Sequence, residues 1–314
     1  MAERDLYGTA LAWAEGRDAR IGRHNPWSVA VRVTREMVAD RVSGLAAEMA
    51  FWSLLSLVPL TVSLGAALGY AELVVGRDQV VRAQGAVIRG LAIIFSPRLT
   101  SEVIAPFVRE LLSQQRGGLA AGGLAVSLYL ASRVFTATMR ALDLAYRVPE
   151  RRGVVAQRVL ALVLAIGFVL VVVATLVFAV VGPLLGSARS LATRLGFGTV
   201  FEVGWEIGRW PLLFGVVIVF LGCVYRFGPN VDNGWRHCLP GAVLGLTLWV
   251  LASLSFRLYL AAGGANSGVL VAEDEAVALV GRAVGALVAT IVWTYLTAMA
   301  ILVGGELNAE LARS

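Results

Sequence analysis

The sequence predicts an all-α fold: a polytopic membrane protein built as a six-transmembrane-helix bundle with interfacial helices. Three observations carry this expectation. Of 314 residues, 58% are hydrophobic and 15% charged, against roughly 45–50% and about 25% in an ordinary soluble domain. The apolar residues fall in long, nearly charge-free blocks, not in the alternating or short amphipathic runs of a soluble core. Six of these blocks meet or approach the roughly 20 residues a helix needs to cross a bilayer.

Taken in order, the chain begins MAERDLYGTALAWAEGRD, charged throughout and without the apolar core of a cleavable secretory signal. The first span is therefore expected to act as the insertion signal. Residues 1–43 read as a cytoplasmic and interfacial segment and 44–311 as the membrane domain. Within the first, NPWSVAVRVTREMVADRVSG puts Trp27, Val31, Val38 and Val42 on one helical face with Arg32 and Glu36 largely opposite. That pattern fits an interfacial helix feeding into the membrane; a cytoplasmic helix packed on the spans is the alternative. The expected spans are 44–70, 117–139, 156–186, 209–227, 238–262 and 279–305. The third is the clearest, because Val159 to Gly186 holds no charge. Residues 71–116 are too polar to span and read as helices at the membrane surface, with a re-entrant piece as the alternative.

Arginine placement sets the expected orientation. The chain has no lysine, so all 27 basic residues are arginine, and the net charge is +6. Seven arginines lie in residues 1–43 and five in the short connection 140–158. Six spans with both termini cytoplasmic place 15 arginines inside and 11 outside, with Arg133 in a span. The acidic run Glu273–Asp274–Glu275 would then face outward. The expected location is the bacterial cytoplasmic (inner) membrane, and the expected partners are membrane lipids, especially anionic headgroups, with a homo-oligomer possible. Loop topology and anionic lipid account for the basic excess without nucleic acid.

Candidate chemistry rests on residues a span should not contain. Cys223, Cys238, His24 and His237 are too few and too scattered for a metal array, so no metal site and no cofactor are expected. At 100° per residue, Arg41, Glu48, Trp52, Ser56, Pro59 and Ser63 fall within about 60° of one line, a polar seam on the first span. Pro59 frees the carbonyl of Leu55 and marks a candidate hinge, or else a static kink satisfied by a nearby serine. On the second span Tyr129, Arg133, Thr136, Arg140, Asp143 and Arg147 recur at intervals of four and three, a helical stripe whose arginines would cover about 21 Å. A guanidinium is an always-charged fork suited to phosphate or carboxylate. For Arg133 three readings stay open: snorkelling to the interface, a pair with Glu48, or a site for an anionic ligand or headgroup. The glycine pairs Gly65/Gly69, Gly118/Gly122, Gly182/Gly186, Gly241/Gly245 and Gly281/Gly285 are expected to permit close helix packing.

The segments Asp40–Leu60 (DRVSGLAAEMAFWSLLSLVPL), Leu128–Arg152 (LYLASRVFTATMRALDLAYRVPERR), Val224–Leu260 and Trp293–Leu311 (WTYLTAMAILVGGELNAEL) resemble, in order, the YihY/BrkB family of bacterial inner-membrane proteins. The resemblance implies six helical spans in the cytoplasmic membrane and a general link to envelope properties and to lipid or solute transport. Some members have carried the label ribonuclease BN; this chain lacks the clustered His, Asp and Glu ligands of a metal-dependent nuclease. Where the family usually has a Tyr-Gly turn entering the last span, this chain has Gly281–Arg282 without the tyrosine. The reading is a non-enzymatic transporter or flippase-like protein for an anionic amphiphile such as a lipid or lipid-linked precursor. The alternative is a non-transporting scaffold or envelope-integrity factor. No Walker motif is present, so movement would be passive, ion-coupled or driven by a partner.

Overall fold

A computed structural model describes residues 2–16, 25–75, 117–176, 198–259 and 275–313. Among these residues the chain is entirely helical, with eight helices: α1 (Ala2–Glu15), α2 (Pro26–Ala39), α3 (Val42–Val75), α4 (Gly117–Ala145), α5 (Val154–Leu176), α6 (Gly198–Phe227), α7 (Trp235–Tyr259) and α8 (Glu275–Arg313). Helices α3 to α8 contain the six segments long and apolar enough to cross a membrane, the number expected from the sequence. Of the stretch 71–116 expected to form surface helices, residues 71–75 instead continue α3, and the remainder, with the pair Gly182/Gly186 and the acids Glu273 and Asp274, lies outside the described residues.

Local chemistry sets the helix ends. Asn25 caps α2: its Oδ1 accepts from the backbone N–H of Trp27 at 3.0 Å, and Pro26 stands at the first helical position, where no donor is needed. The same side chain donates to the carbonyl of Ala14 at 2.9 Å, tying α2 to α1. Helix α4 closes with a Schellman pattern, Arg147 N–H to Leu144 O at 2.9 Å and Val148 N–H to Asp143 O at 3.0 Å, followed by Pro149. The left-handed residue of this motif is ordinarily glycine, but here it is Arg147 with φ 56°. Arg41, between α2 and α3, is also left-handed at φ 52°. A side chain there costs about 1–2 kcal/mol, so both arginines are held by what surrounds them.

The described chain divides into two compact units. The first comprises Met1–Met49, Val134–Ala252 and Leu296–Ser314; the second comprises Ala50–Arg133 and Ser253–Tyr295. At the core of the first, α7 and α8 cross backbone to backbone. A Cβ added at Gly241 would run into the carbonyl of Gly304, and one at Gly304 into the carbonyl of Gly241 and the hydroxyl of Tyr225. Asn308 completes the crossing: its Oδ1 accepts from Gly241 N–H at 2.7 Å, and its Nδ2 donates to Cys238 O at 3.1 Å. The turn of α7 that takes these bonds contains Pro240, which leaves a carbonyl without its helical donor. Tyr225 of α6 is fully buried and donates to Ile301 O at 2.7 Å. Phe135, Phe168 and Phe220 pack mutually at 5.9–6.2 Å between centroids and join α4, α5 and α6.

In the second unit α3 and α4 approach at Gly123, where a Cβ would lie 3.0 Å from Pro59 O and 3.1 Å from Ser63 Cβ. Ser63 Oγ donates to Ala120 O at 2.7 Å, and Ser127 Oγ to Ser56 O at 3.1 Å. The glycine expectation is thus corrected in part. Gly241 and Gly245 do sit at close contacts, whereas Gly118, Gly122 and Gly285 face open space, and the tightest positions include Gly304, Gly305 and Gly123. Spacing alone cannot tell a glycine facing a partner helix from one facing lipid.

Gly241→Ala or Gly304→Ala should abolish recovery of a monodisperse protein in detergent size-exclusion chromatography, whereas Gly118→Ala and Gly122→Ala should leave it unchanged. Asn308→Ala should lower stability by about 2–4 kcal/mol, because two buried backbone groups lose their partner, read as a fall in thermal midpoint.

Candidate functional site

The predicted stripe on α4 does not form one uniform face. Tyr129 and Arg140 are exposed and Arg133 is intermediate, while Thr136 and Asp143 are buried. The helix ends at Ala145, so Arg147 leaves the stripe through its left-handed turn and reaches α2. Seven-residue spacing counted on through the helix end could not foresee that exit.

In the first unit the charges of α4 are met by acids of α3 and α2. Arg140 Nη2 donates to Glu48 Oε1, with the arginine side chain 51% exposed and the glutamate 33%. Arg147 Nη2 donates to Glu36 Oε2 at 2.7 Å. Around α2 the pairing continues, with Arg32 3.7 Å from both Glu15 and Glu310 and Arg313 3.1 Å from Glu310. Arg313 also donates to Ala145 O at 2.7 Å. Arg32 and Glu36 therefore turn towards the protein while Trp27 and Val38 are exposed, and Trp27 meets Trp13 edge-on at 5.9 Å.

The two loops of this unit are sewn together by groups that look in the sequence like topology markers. Arg152 donates from Nη1 to Gly228 O and from Nη2 to Pro229 O, each at 2.8 Å. Asn230 N–H donates to Asp143 Oδ1 at 2.7 Å, and its side chain to Pro149 O at 3.1 Å. Arg226 donates to Asn233 O at 2.8 Å and lies over the rings of Trp235 and Phe227. These arginines satisfy carbonyls of loop backbone that has no helical partner.

Three carboxyl oxygens in the same unit are buried with no hydrogen-bond partner among the described residues: Glu306 Oε2, on a residue only 3% exposed, Asp40 Oδ2 and Asp143 Oδ2. Asp143 differs from the other two in that its Oδ1 is taken by the Asn230 N–H. Burial raises the Asp40 carboxyl above the ordinary carboxylate value and Glu36 pushes it the same way, against the pull of Arg147 and Arg313. Tyr146 is pushed up to about 12, chiefly by burial.

In the second unit, Arg133 places its guanidinium 4.6 Å from the centre of the Trp52 ring, a cation–π contact, and Trp52 meets Phe51 edge-on. Pro59 lies between the two serine bonds that tie α3 to α4 and beside Gly123. Among the described residues no three His, Cys, Asp or Glu side chains are grouped to hold a metal ion.

Six apolar helices carrying paired charges define a polytopic helical membrane protein. The chain belongs to the BrkB family: it matches the family described as virulence factor BrkB over residues 33–314. It is similar to the ribonuclease-like protein YfkH of Bacillus subtilis, with 27% identity over 265 residues, covering 84% of this chain and 88% of the relative. It is also similar to a UPF0761 membrane protein of Photobacterium profundum, with 26% identity over 286 residues, covering 89% of this chain and 79% of the relative. No solved structure matches the chain significantly.

A double-mutant cycle checks the Arg140–Glu48 pair. Arg140→Ala and Glu48→Ala should show a coupling of about 0.5–1 kcal/mol in unfolding stability, the size expected for a half-exposed pair. Swapping the two charges should recover part of the loss.

Proposed function

We propose that this protein binds an anionic amphiphile, a lipid or lipid-linked precursor, and moves it across the cytoplasmic membrane. The observation that supports this reading is the half-exposed Arg140 guanidinium, held by Glu48 within a span. A charged fork at that depth favours an anionic headgroup, and Glu48 keeps it compensated when none is bound. Arg133 over Trp52 is a second cation in a span, with the ring face supplying its local compensation. Motion at the Pro59 hinge would require the Ser63 and Ser127 bonds to open. The end carrying both termini and the 140–158 arginines is proposed to be cytoplasmic.

The second reading, a non-transporting scaffold, draws on the ion pairs of the first unit, which tie α2 to α8 and to the end of α4 and would serve a rigid membrane anchor equally well.

Reconstitution into liposomes containing a fluorescent phosphatidylglycerol separates the two. Wild type should expose inner-leaflet label to an external quencher. Arg133→Ala, Arg140→Ala or Glu48→Gln should slow this by about tenfold or more, the loss expected for one charge-assisted contact, with insertion unaffected. A wild-type protein that moves no lipid under any applied gradient would leave the scaffold reading in its place.

A further inference from the structure

The exposed aromatic faces, the Arg226 stack and the glycine crossings all serve packing already described. The buried carboxyl groups at the α2–α8 contact do not. Glu306 stands in the run Gly304–Gly305–Glu306–Leu307–Asn308, where its neighbours on both sides have clear structural work. Asn308 holds the backbone of α7, and the two glycines admit Gly241, Tyr225 and Leu142. Glu306 is as buried as they are, yet its Oε2 meets no donor. The charged groups acting on it are Asp40 and Glu36 from α2 and its C-cap, Arg147 from the turn after α4, and Arg313 from α8 itself.

Leaving aside Glu15, the partner of Arg32 whose side chain is 57% exposed to solvent, this end of the first unit holds four carboxyl groups, Glu36, Asp40, Glu306 and Glu310, against three guanidinium groups, Arg32, Arg147 and Arg313. Glu36 and Glu310 are taken by ion pairs. The two left over, Asp40 and Glu306, are the members of these four that have a buried oxygen without a hydrogen bond. One proton would balance the cluster at three against three and would give a carboxyl group the donor it lacks. A metal cation fits less well, since the described residues group no three acidic, His or Cys ligands.

We infer that Asp40 and Glu306 form a proton-binding site at the end of the molecule bearing both termini, and that its occupancy sets how firmly α2 is seated on α8 and on the Arg147 turn. With the proton bound, Glu36 and Glu310 keep their arginines. Without it, a second carboxylate competes for Arg147 and Arg313, and α2 loosens. Tyr146 stays neutral over the relevant range and takes no part. The inference does not depend on the transport reading.

The test uses the full chain in nanodiscs, by infrared difference spectroscopy between about pH 5 and about pH 8. Wild type should show a carboxylic-acid band that is lost at the alkaline end and that both Glu306→Gln and Asp40→Asn remove or shift, whereas Asp143→Asn, at the other buried carboxyl group, should leave it in place. In parallel, the wild-type melting temperature should fall as pH rises, by about 3–5 °C for each pKa unit by which burial raises the Asp40 carboxyl. The sign follows from linkage: the folded site holds a proton that the unfolded chain releases, so stability is greatest at low pH and declines as pH rises towards the folded value. Asp40→Asn should flatten this decline, and it keeps the test usable where Glu306→Gln does not fold. No titrating acid band in wild type, or a band unchanged in both variants, overturns the inference. Stabilisation by sodium over choline at fixed pH also overturns it, in favour of a metal-cation site.

Discussion

The amide of Asn308 is the contact on which the first unit turns. A helix backbone in a bilayer must find its hydrogen bonds within the protein; Pro240 frees the carbonyl of Arg236, and Asn308 bonds other groups of the same turn, Gly241 N–H and Cys238 O. Asn308 brings a donor and an acceptor to the Pro240 turn of α7, and it can do so only because Gly241 and Gly304 let the two backbones meet. That crossing fixes α8 against α7. With α8 fixed, Glu310 and Arg313 stand where α2 and the end of α4 can reach them. The loop-to-loop bonds of Arg152 and Asn230 hold the connected ends of α4 to α7 in the same frame.

The architecture was legible in the sequence because the bilayer writes it in bulk quantities: long apolar blocks, few charges and arginine-rich short loops. The site was legible only in its ingredients. Glu48, Arg133, Arg140 and Arg147 stand out as charges in or beside spans, but counting at a helical period assigned one stripe where the structure has exposed, buried and non-helical positions. Two physical reasons account for the difference. A helix end is set by a turn such as the one at Arg147, which has no glycine to announce it. A partner is chosen by tertiary packing, which gives Glu48 to Arg140 and lays Arg133 on Trp52.

The arginines, uniform in type, do several different jobs. Some are paired with acids, Arg133 lies on an aromatic face, and Arg152 and Arg313 donate to backbone carbonyls. The planar fork that makes arginine a good phosphate ligand equally lets one residue bridge two carbonyls of a loop, as Arg152 does with Gly228 and Pro229. An excess of basic charge is therefore a poor guide to ligand sites in such a protein. Local hydrogen bonding tells a structural arginine from one with capacity to spare.

The bond from Arg32 to Glu310 joins one of the earliest helices to the last. At translation rates of about 5–20 residues per second, the acid emerges on the order of tens of seconds after the arginine. During that interval Arg32 has Glu15 of α1 for a partner and Glu36 has Arg147 beyond α4, while the tie to the last helix is still missing. The tie between α2 and the last span is thus among the later contacts the chain can make. A chain halted before α8 would keep the pairs of Arg32 with Glu15 and of Glu36 with Arg147 but would lack Glu310, and with it the ion pair that joins α2 to the last span.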